Sequence, residues 1–192
     1  RSSATFNESE DINLRFNKKV DGIPYDGKYI FSEMGYNFLP SEISAAFALE
    51  QLKKLKQNIN TRVKNFNKIY DYFRKYENLF ILPNEFKGLK TGWLAFPLII
   101  RNQNKLVRKN LQIFLEKNGI QTRTIFTGNI LRQPIMKSKI YKKCKDATVN
   151  SDNVMKNGLL IGCHHGLTNK DINYMLSKFD RFFVKFKFQS LK

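Results

Sequence analysis

Residues 28–55, KYIFSEMGYNFLPSEISAAFALEQLKKL, constrain what this chain can fold into more than any other stretch. A strand-like apolar run reaches a Gly-Tyr-Asn turn and a proline, and a helix with a defined start follows. Ser41 can accept a hydrogen bond from an orphan first-turn N–H, and Glu42 suits the positive end of the helix dipole. Ala45, Ala46 and Ala48 beside Phe47 and Leu49 leave a small-residue surface that lets another backbone approach. A helix of this kind is built for burial in a larger body.

Past Leu55 the apolar positions Leu52, Leu55, Ile59, Val63, Phe66, Ile69, Tyr70 and Phe73 recur at steps of three and four, the mark of one buried helical stripe, with Gln57 and Asn58 a place where it could break. Leu79–Leu82 and Trp93–Ile100 read as strands. Pro97 lacks an N–H for a ladder and points to an edge or a bulge. Residues 104–118 place Val107, Leu111, Phe114 and Leu115 on one helical face, and Gly119 is expected to close it in a left-handed cap. Ile120–Phe126 reads as a strand, Ser151–Asn157 as a short helix stopped by Gly158, and Leu159–Cys163 as an apolar run. Thr168 with Asp171 forms a capping pair ahead of a helix that buries Ile172, Met175, Leu176, Phe179, Phe182 and Phe183. The N-terminal residues 1–19 read as irregular and 20–27 as a turn-rich loop. The sum is an α+β chain, a few strands covered by helices.

Three stretches carry a resemblance: GYN followed by the E-x-x-A-A-x-x-L-x-Q-L-x-K-L run, GIQTRTIFTGNILRQP at 119–134, and IGCHHGLTNKDINYMLSKF at 161–179. In that order they resemble the DegT/StrS family of pyridoxal-phosphate (PLP) enzymes acting on nucleotide-linked keto sugars. The TR-x-x-F-x-GN-x-x-RQP wording is similar to the branch of 4-keto-6-deoxyhexose 3-dehydrases, with sugar aminotransferases as the alternative. The resemblance implies the C-terminal small domain of the aspartate-aminotransferase-like (type I PLP) fold, together with the end of the large domain and a connecting helix. On that scheme residues 1–40 end the large domain and carry an active-site loop, 41–78 form connecting helices, and 79–192 form the small α+β domain. It further implies a homodimer with a shared active site, a nucleotide-sugar substrate and an amino-acid amino donor. Its setting would be deoxysugar and lipopolysaccharide biosynthesis.

The same resemblance puts the catalytic lysine, or the histidine that replaces it in the dehydrase branch, upstream of Arg1, so no lysine here is nominated and the isolated chain is expected to show no turnover. Asn37 matches the position whose amide reaches the cofactor phosphate of the neighbouring subunit; read on its own it is a turn asparagine. Arg123 and Asn129 are assigned to the hexose side of the pocket, with Arg132 in the same matched run. A guanidinium suits sugar oxygens or a pyrophosphate through paired donors, while the plain alternative is two surface arginines and a second turn asparagine. The cofactor is expected as pyridoxal 5'-phosphate, working in its pyridoxamine form. Some 3-dehydrases of this kind carry a cysteine cluster before the GYN turn; residues 1–28 hold no cysteine, so no iron–sulfur cluster is expected.

Charge and cysteine usage narrow the alternatives. The net charge of +18 would suit a nucleic-acid-binding module. The lysines are dispersed, however, without a reader motif, in a chain also rich in asparagine and with 17 phenylalanines. They read as solvated faces, with nucleic acid and an anionic substrate or surface as lesser readings and a non-catalytic interaction domain as a third class. Two cysteines, Cys144 and Cys163, make neither a disulfide framework nor a metal site, and the neighbours His164 and His165 point apart with no third ligand, so no metal is expected. No run of 18 apolar residues is present; no membrane partner is expected, and the cytoplasm is the default compartment.

Overall fold

The structure, a computed structural model, describes residues 11–31, 36, 38, 41–101, 106–142 and 148–188. It divides into two compact units, Arg1–Glu50 and Gln51–Lys192. In the first, the Asp11 carboxylate accepts from the N–H groups of Asn13 (2.8 Å) and Leu14 (3.2 Å) and so opens a helix, α1 (Ile12–Phe16), where the sequence reads as irregular. Strands β1 (Lys19–Val20) and β2 (Ile23–Pro24) pair around Asp21 and Gly22, whose φ values of 49° and 83° are those an Asp-Gly pair adopts in a tight hairpin. The Arg15 Nε donates to Asp26 at 2.7 Å, tying the helix to the chain beyond the hairpin. Asn37, Gly35 and Pro40 lie outside the described residues.

Helix α2 runs without interruption from Glu42 to Arg74, and Ala45 N–H donates to Ser41 O at 3.0 Å at its start. The break considered at Gln57 and Asn58 is absent, because no glycine or proline stands between 42 and 74 and polar residues on a solvated face do not stop a helix. The division between the two units falls inside this helix. Its stripe is buried only in the second half: Phe66, Ile69 and Phe73 are core, while Ile43 is 82% exposed and Phe47, Leu52 and Leu55 are also exposed. The core-facing stripe expected from Leu52 to Phe73 is corrected at its start, where Leu52 and Leu55 are exposed.

The second unit is a four-stranded antiparallel sheet in the order β3 (Phe80–Ile81), β4 (Ala95–Ile100), β6 (Gly158–Gly162), β5 (Thr122–Arg123). Along β4, Phe96, Leu98 and Ile100 are buried and alternate with Ala95, Pro97 and Ile99, which are only half-buried. This period-two pattern places one face on the core. β4 is an interior strand with a continuous register against β6, where Pro97 is expected to mark an edge or a bulge. The physical reason survives locally, because β3 pairs only with Ile99 and Ile100, so at Pro97 the strand has a single partner, Leu160.

The core is aromatic. The Phe73 ring stacks on Phe96 at 5.7 Å and meets Phe80 and Phe179 edge-on at 5.4 and 5.0 Å, while Phe66 stacks on Trp93 at 4.1 Å. Helix α3 (Arg108–Lys117) buries Leu111 and Leu115 and ends at Gly119, φ +72°, the left-handed cap expected from the sequence. Residue 104 lies outside the described residues, and the helix begins at Arg108 because Val107 is extended. Helix α4 (Val149–Asn157) runs directly into β6, with Gly158 both its cap and the first residue of the strand. Cys163 is buried, its Sγ–H donating to Trp93 O at 3.7 Å, and burial pushes its pKa up to about 12; Cys144 lies outside the described residues.

Helix α5 (Asn169–Lys185) begins with the capping box expected from Thr168 and Asp171, and all six residues assigned to its apolar face are buried. The Thr168 hydroxyl and N–H donate to Asp171 at 2.7 and 2.8 Å and hold its carboxyl below the ordinary 3.8. A depressed folded-state pKa means stability that is fully present above the unfolded value and is lost as pH falls through the folded one. Urea unfolding below pH 3.8 should therefore show an acid-dependent loss that Asp171→Asn reduces; an acid limb identical in the two proteins would contradict the assignment.

Among the described residues no helix is long and apolar enough to cross a membrane, and no three metal-ligating side chains cluster.

Candidate functional site

The stretch 120–134 turns sooner than its sequence suggests. The expected strand Ile120–Phe126 shortens to Thr122–Arg123, because Phe126 (φ 45°) and Gly128 (φ 65°) both take left-handed conformations and swing the chain into two short 3-10 turns, Ile130–Arg132 and Pro134–Ser138. Thr124 Oγ donates to Phe126 O at 3.1 Å and Gly128 N–H to Ile125 O at 3.0 Å, fixing the bend. The bend leaves Phe126 89% exposed.

What holds this turn is one carboxylate on α4. Asp152 accepts from Asn129 Nδ2 (2.7 Å), from Arg132 Nε (2.5 Å) and from a terminal Arg132 nitrogen (2.6 Å). The pairing raises the arginine's already high pKa. Asn129 is only 4% exposed, and its Oδ1 accepts from Leu131 N–H at 3.0 Å. Both ends of its amide are spent inside the chain, so it stands behind the turn and shapes it, where the sequence reading gave it a place among the substrate contacts. Arg132, with its side chain 61% exposed, has a second terminal nitrogen that Asp152 does not engage. Asp152→Ala should cost about 1–3 kcal/mol, chiefly through the Asn129 donor left buried and unpaired. Combined with Asn129→Ala, urea unfolding should show a total well short of the sum; strict additivity would show that the two side chains do not act through one another.

Arg123 is held elsewhere. Its neighbour Thr122 is buried, and Oε1 of the exposed Glu116 accepts from the Thr122 N–H (2.5 Å) and Oγ–H (2.8 Å); these bonds, with Arg123 nearby, keep Glu116 below its ordinary pKa. Strand alternation then puts Arg123 on the opposite face, opposite Leu160. There it lines a cleft of ≈ 500 Å³ with Ala95, Ile120, Leu160, His164 and Tyr174 among its walls. Asn129 and Arg132 are therefore brought together, and Arg123 belongs to a different cleft.

The two histidines serve different partners, as neighbours in sequence should. His164 Nδ1 accepts from Gly166 N–H at 3.2 Å beside the Arg123 cleft, and His165 Nδ1 accepts from Arg62 Nε at 3.2 Å. The loop carrying them is fastened by buried Asn65 of α2, whose Nδ2 donates to His164 O (3.0 Å) and Leu167 O (3.2 Å). Neither Asp152 nor Asn65 emerged from the sequence reading. The available signals were a carboxylate at the start of a helix in a strongly basic stretch, and an asparagine beside the apolar stripe Val63, Phe66, Ile69.

Comparison with known proteins places these features in a family. A profile of the DegT/DnrJ/EryC1/StrS aminotransferase family matches residues 7–180. The lipopolysaccharide biosynthesis protein RfbH of Salmonella typhimurium is 31% identical over 171 residues, which cover 88% of this chain and 39% of that protein. A GDP-4-keto-6-deoxy-D-mannose 3-dehydratase of Escherichia coli O55:H7 is 31% identical over 167 residues, 85% of this chain and 42% of that one. The chain thus spans about two fifths of the length of these relatives. A crystal structure of GDP-4-keto-6-deoxymannose-3-dehydratase with a trapped PLP-glutamate geminal diamine, 32% identical, covers 86% of this chain and 43% of its own at a TM-score of 0.71. An aminotransferase from Psychrobacter cryohalolentis, 14% identical at a TM-score of 0.73 over 88% of this chain, shares the fold. The order of helices and strands around the sheet is that of an aminotransferase-family fold, and on a profile match that leaves out only the two ends, the chain belongs to the DegT/DnrJ/EryC1/StrS aminotransferase family.

Proposed function

We propose that this chain is the C-terminal portion of a PLP-dependent enzyme that removes the C3 hydroxyl of a nucleotide-linked 4-keto-6-deoxyhexose, in deoxysugar and lipopolysaccharide biosynthesis. The observation that carries this reading is identity of 30–32% to 3-dehydratases over most of the chain, across the turn in which Asp152 holds Arg132. A sugar aminotransferase is the second reading, supported by the family's wider membership and by the common fold.

The described residues fit the sugar side of such a site. Neither the Arg123 cleft nor the small cleft beside the Gly128 turn has a lysine in its lining, and Asn37, proposed for the cofactor phosphate across a homodimer interface, lies outside the described residues. When bound, PLP supplies the electron sink for loss of the C3 oxygen or for transfer of an amine from an amino-acid donor. This chain's share is placement. Arg123 offers its guanidinium to hydroxyl or phosphate oxygens, and Arg132, immobilised on Asp152, offers the N–H groups of its remaining terminal nitrogen beside the turn.

The test is the product formed by the full-length enzyme with PLP, an amino-acid donor and a nucleotide-linked 4-keto-6-deoxyhexose. A sugar that has lost its C3 oxygen and kept the 4-keto group supports dehydration. A 4-amino sugar with its C3 hydroxyl intact supports the aminotransferase reading, and absence of both overturns the keto-sugar assignment. Arg132→Ala should lower kcat/KM at least tenfold if Arg132 meets the substrate.

A further inference from the structure

At the far end of β4 from the Arg123 cleft, roughly 17 Å along the strand, a second opening of ≈ 300 Å³ is lined by Arg101, Arg108, Lys109 and Lys156, with Leu106, Val107 and Asn157 completing it. Every charged group in that lining is a cation. A net charge of +18 makes scattered cations ordinary, yet elsewhere acids stand among them: Arg132 is paired with Asp152, and the lining of the cleft that holds Arg123 also includes Asp171. In this opening the two guanidiniums are steered by neutral backbone. Arg101 Nε donates to Glu77 O at 2.7 Å, and a terminal nitrogen of Arg108 donates to Gly158 O at 3.2 Å. A carbonyl fixes a guanidinium without cancelling its charge and leaves its other N–H groups available.

Two of the four cations also stand where they are unfavourable in an empty protein. Arg108 and Lys109 open α3 at its positive end, Val107 gives that end no side-chain cap, and its first turn has no acid. Four cations in the lining of one concavity, with no acid among the described residues that line it, suit a group with several anionic oxygens.

We infer that this opening is a phosphate-binding site that takes the diphosphate of a nucleotide. Arg108 also lines the small cleft with Thr124, Gly128 and Gln133 beneath the Asn129–Arg132 turn. The diphosphate can therefore come from a nucleotide sugar reaching toward that turn or from a free nucleotide bound by itself; only the first source rests on the keto-sugar reading.

Isothermal titration calorimetry of the full chain with inorganic pyrophosphate and with GDP tests the site. Lys109→Glu and Lys156→Glu reverse charges on exposed side chains, and glutamate at 109 suits a helix start, so folding is preserved. Each should weaken pyrophosphate binding about tenfold, while Lys87→Glu, which removes the same net charge outside the opening, should leave it unchanged. Equal affinity in all four proteins, or equal weakening in the Lys87→Glu control, would overturn the site and leave only the general field of a basic protein. In the full-length enzyme, a raised KM for the nucleotide sugar at unchanged kcat assigns the phosphates to the substrate, and an unchanged KM assigns them to a separate nucleotide. Turnover of a keto sugar without opening-dependent pyrophosphate binding would keep the proposed function and remove this site; the converse would do the opposite.

Discussion

Gly128→Ala should destabilise the protein by about 2–5 kcal/mol and release the Asn129–Arg132 turn. Two separate costs add. At φ +65° an L side chain pays about 1–2 kcal/mol for the left-handed backbone, and the new methyl would lie 2.4 Å from Met155 Cβ and 2.7 Å from its Cα. The Cα belongs to α4, so the clash cannot be relieved by a change of rotamer and adds about 1–3 kcal/mol of overpacking. Urea unfolding measures the total. Introducing Met155→Ala into the Gly128→Ala protein should recover part of the loss and never all of it, because the left-handed backbone persists and the α4 main chain still crowds the new methyl. A Gly128→Ala protein as stable as the parent would mean that the turn does not sit against α4 as described.

Phe73→Ala should cost about 3–5 kcal/mol. The ring has no solvent exposure and is the meeting point of α2, β3, β4 and α5 through Phe80, Phe96 and Phe179. Three aromatic partners cannot collapse together into the void left behind, which places the cost toward the upper end of that range. Thermal unfolding should fall by roughly 10 °C. Phe86→Ala, at a residue 81% exposed, should change stability by no more than about 0.5 kcal/mol. Similar losses at the two positions would contradict the core assigned here.

Much of this architecture was legible because it depends on short-range rules. The Thr168–Asp171 box, the glycine at 119 and the apolar face of α5 each follow from residues three or four apart, and each is found as expected. The family likewise could be read from three short motifs. What could not be read depends on partners distant in sequence. Pro97 argues for an edge or a bulge, yet β4 is interior, because only the length of β3 decides where the ladder stops. Ile120–Phe126 has strand composition, but a left-handed Phe126 ends it. Arg123, Asn129 and Arg132 look like one constellation in a single short run; strand alternation sends the first to one cleft, and a carboxylate on the following helix gathers the other two. The exposed first half of α2 has the same origin: periodicity records which face is apolar and says nothing of what covers it.

The junction at Gly158, where α4 becomes β6 with no connecting residues between them, bears on how Arg132 can behave. Its anchor Asp152 lies in the helix that leads straight into an inner ladder strand, and between the two there is no joint at which torsion could be absorbed. Displacing the guanidinium together with its anchor would mean unzipping β6 from β4. The arginine is thus set like a gauge block, its position decided when the domain folds.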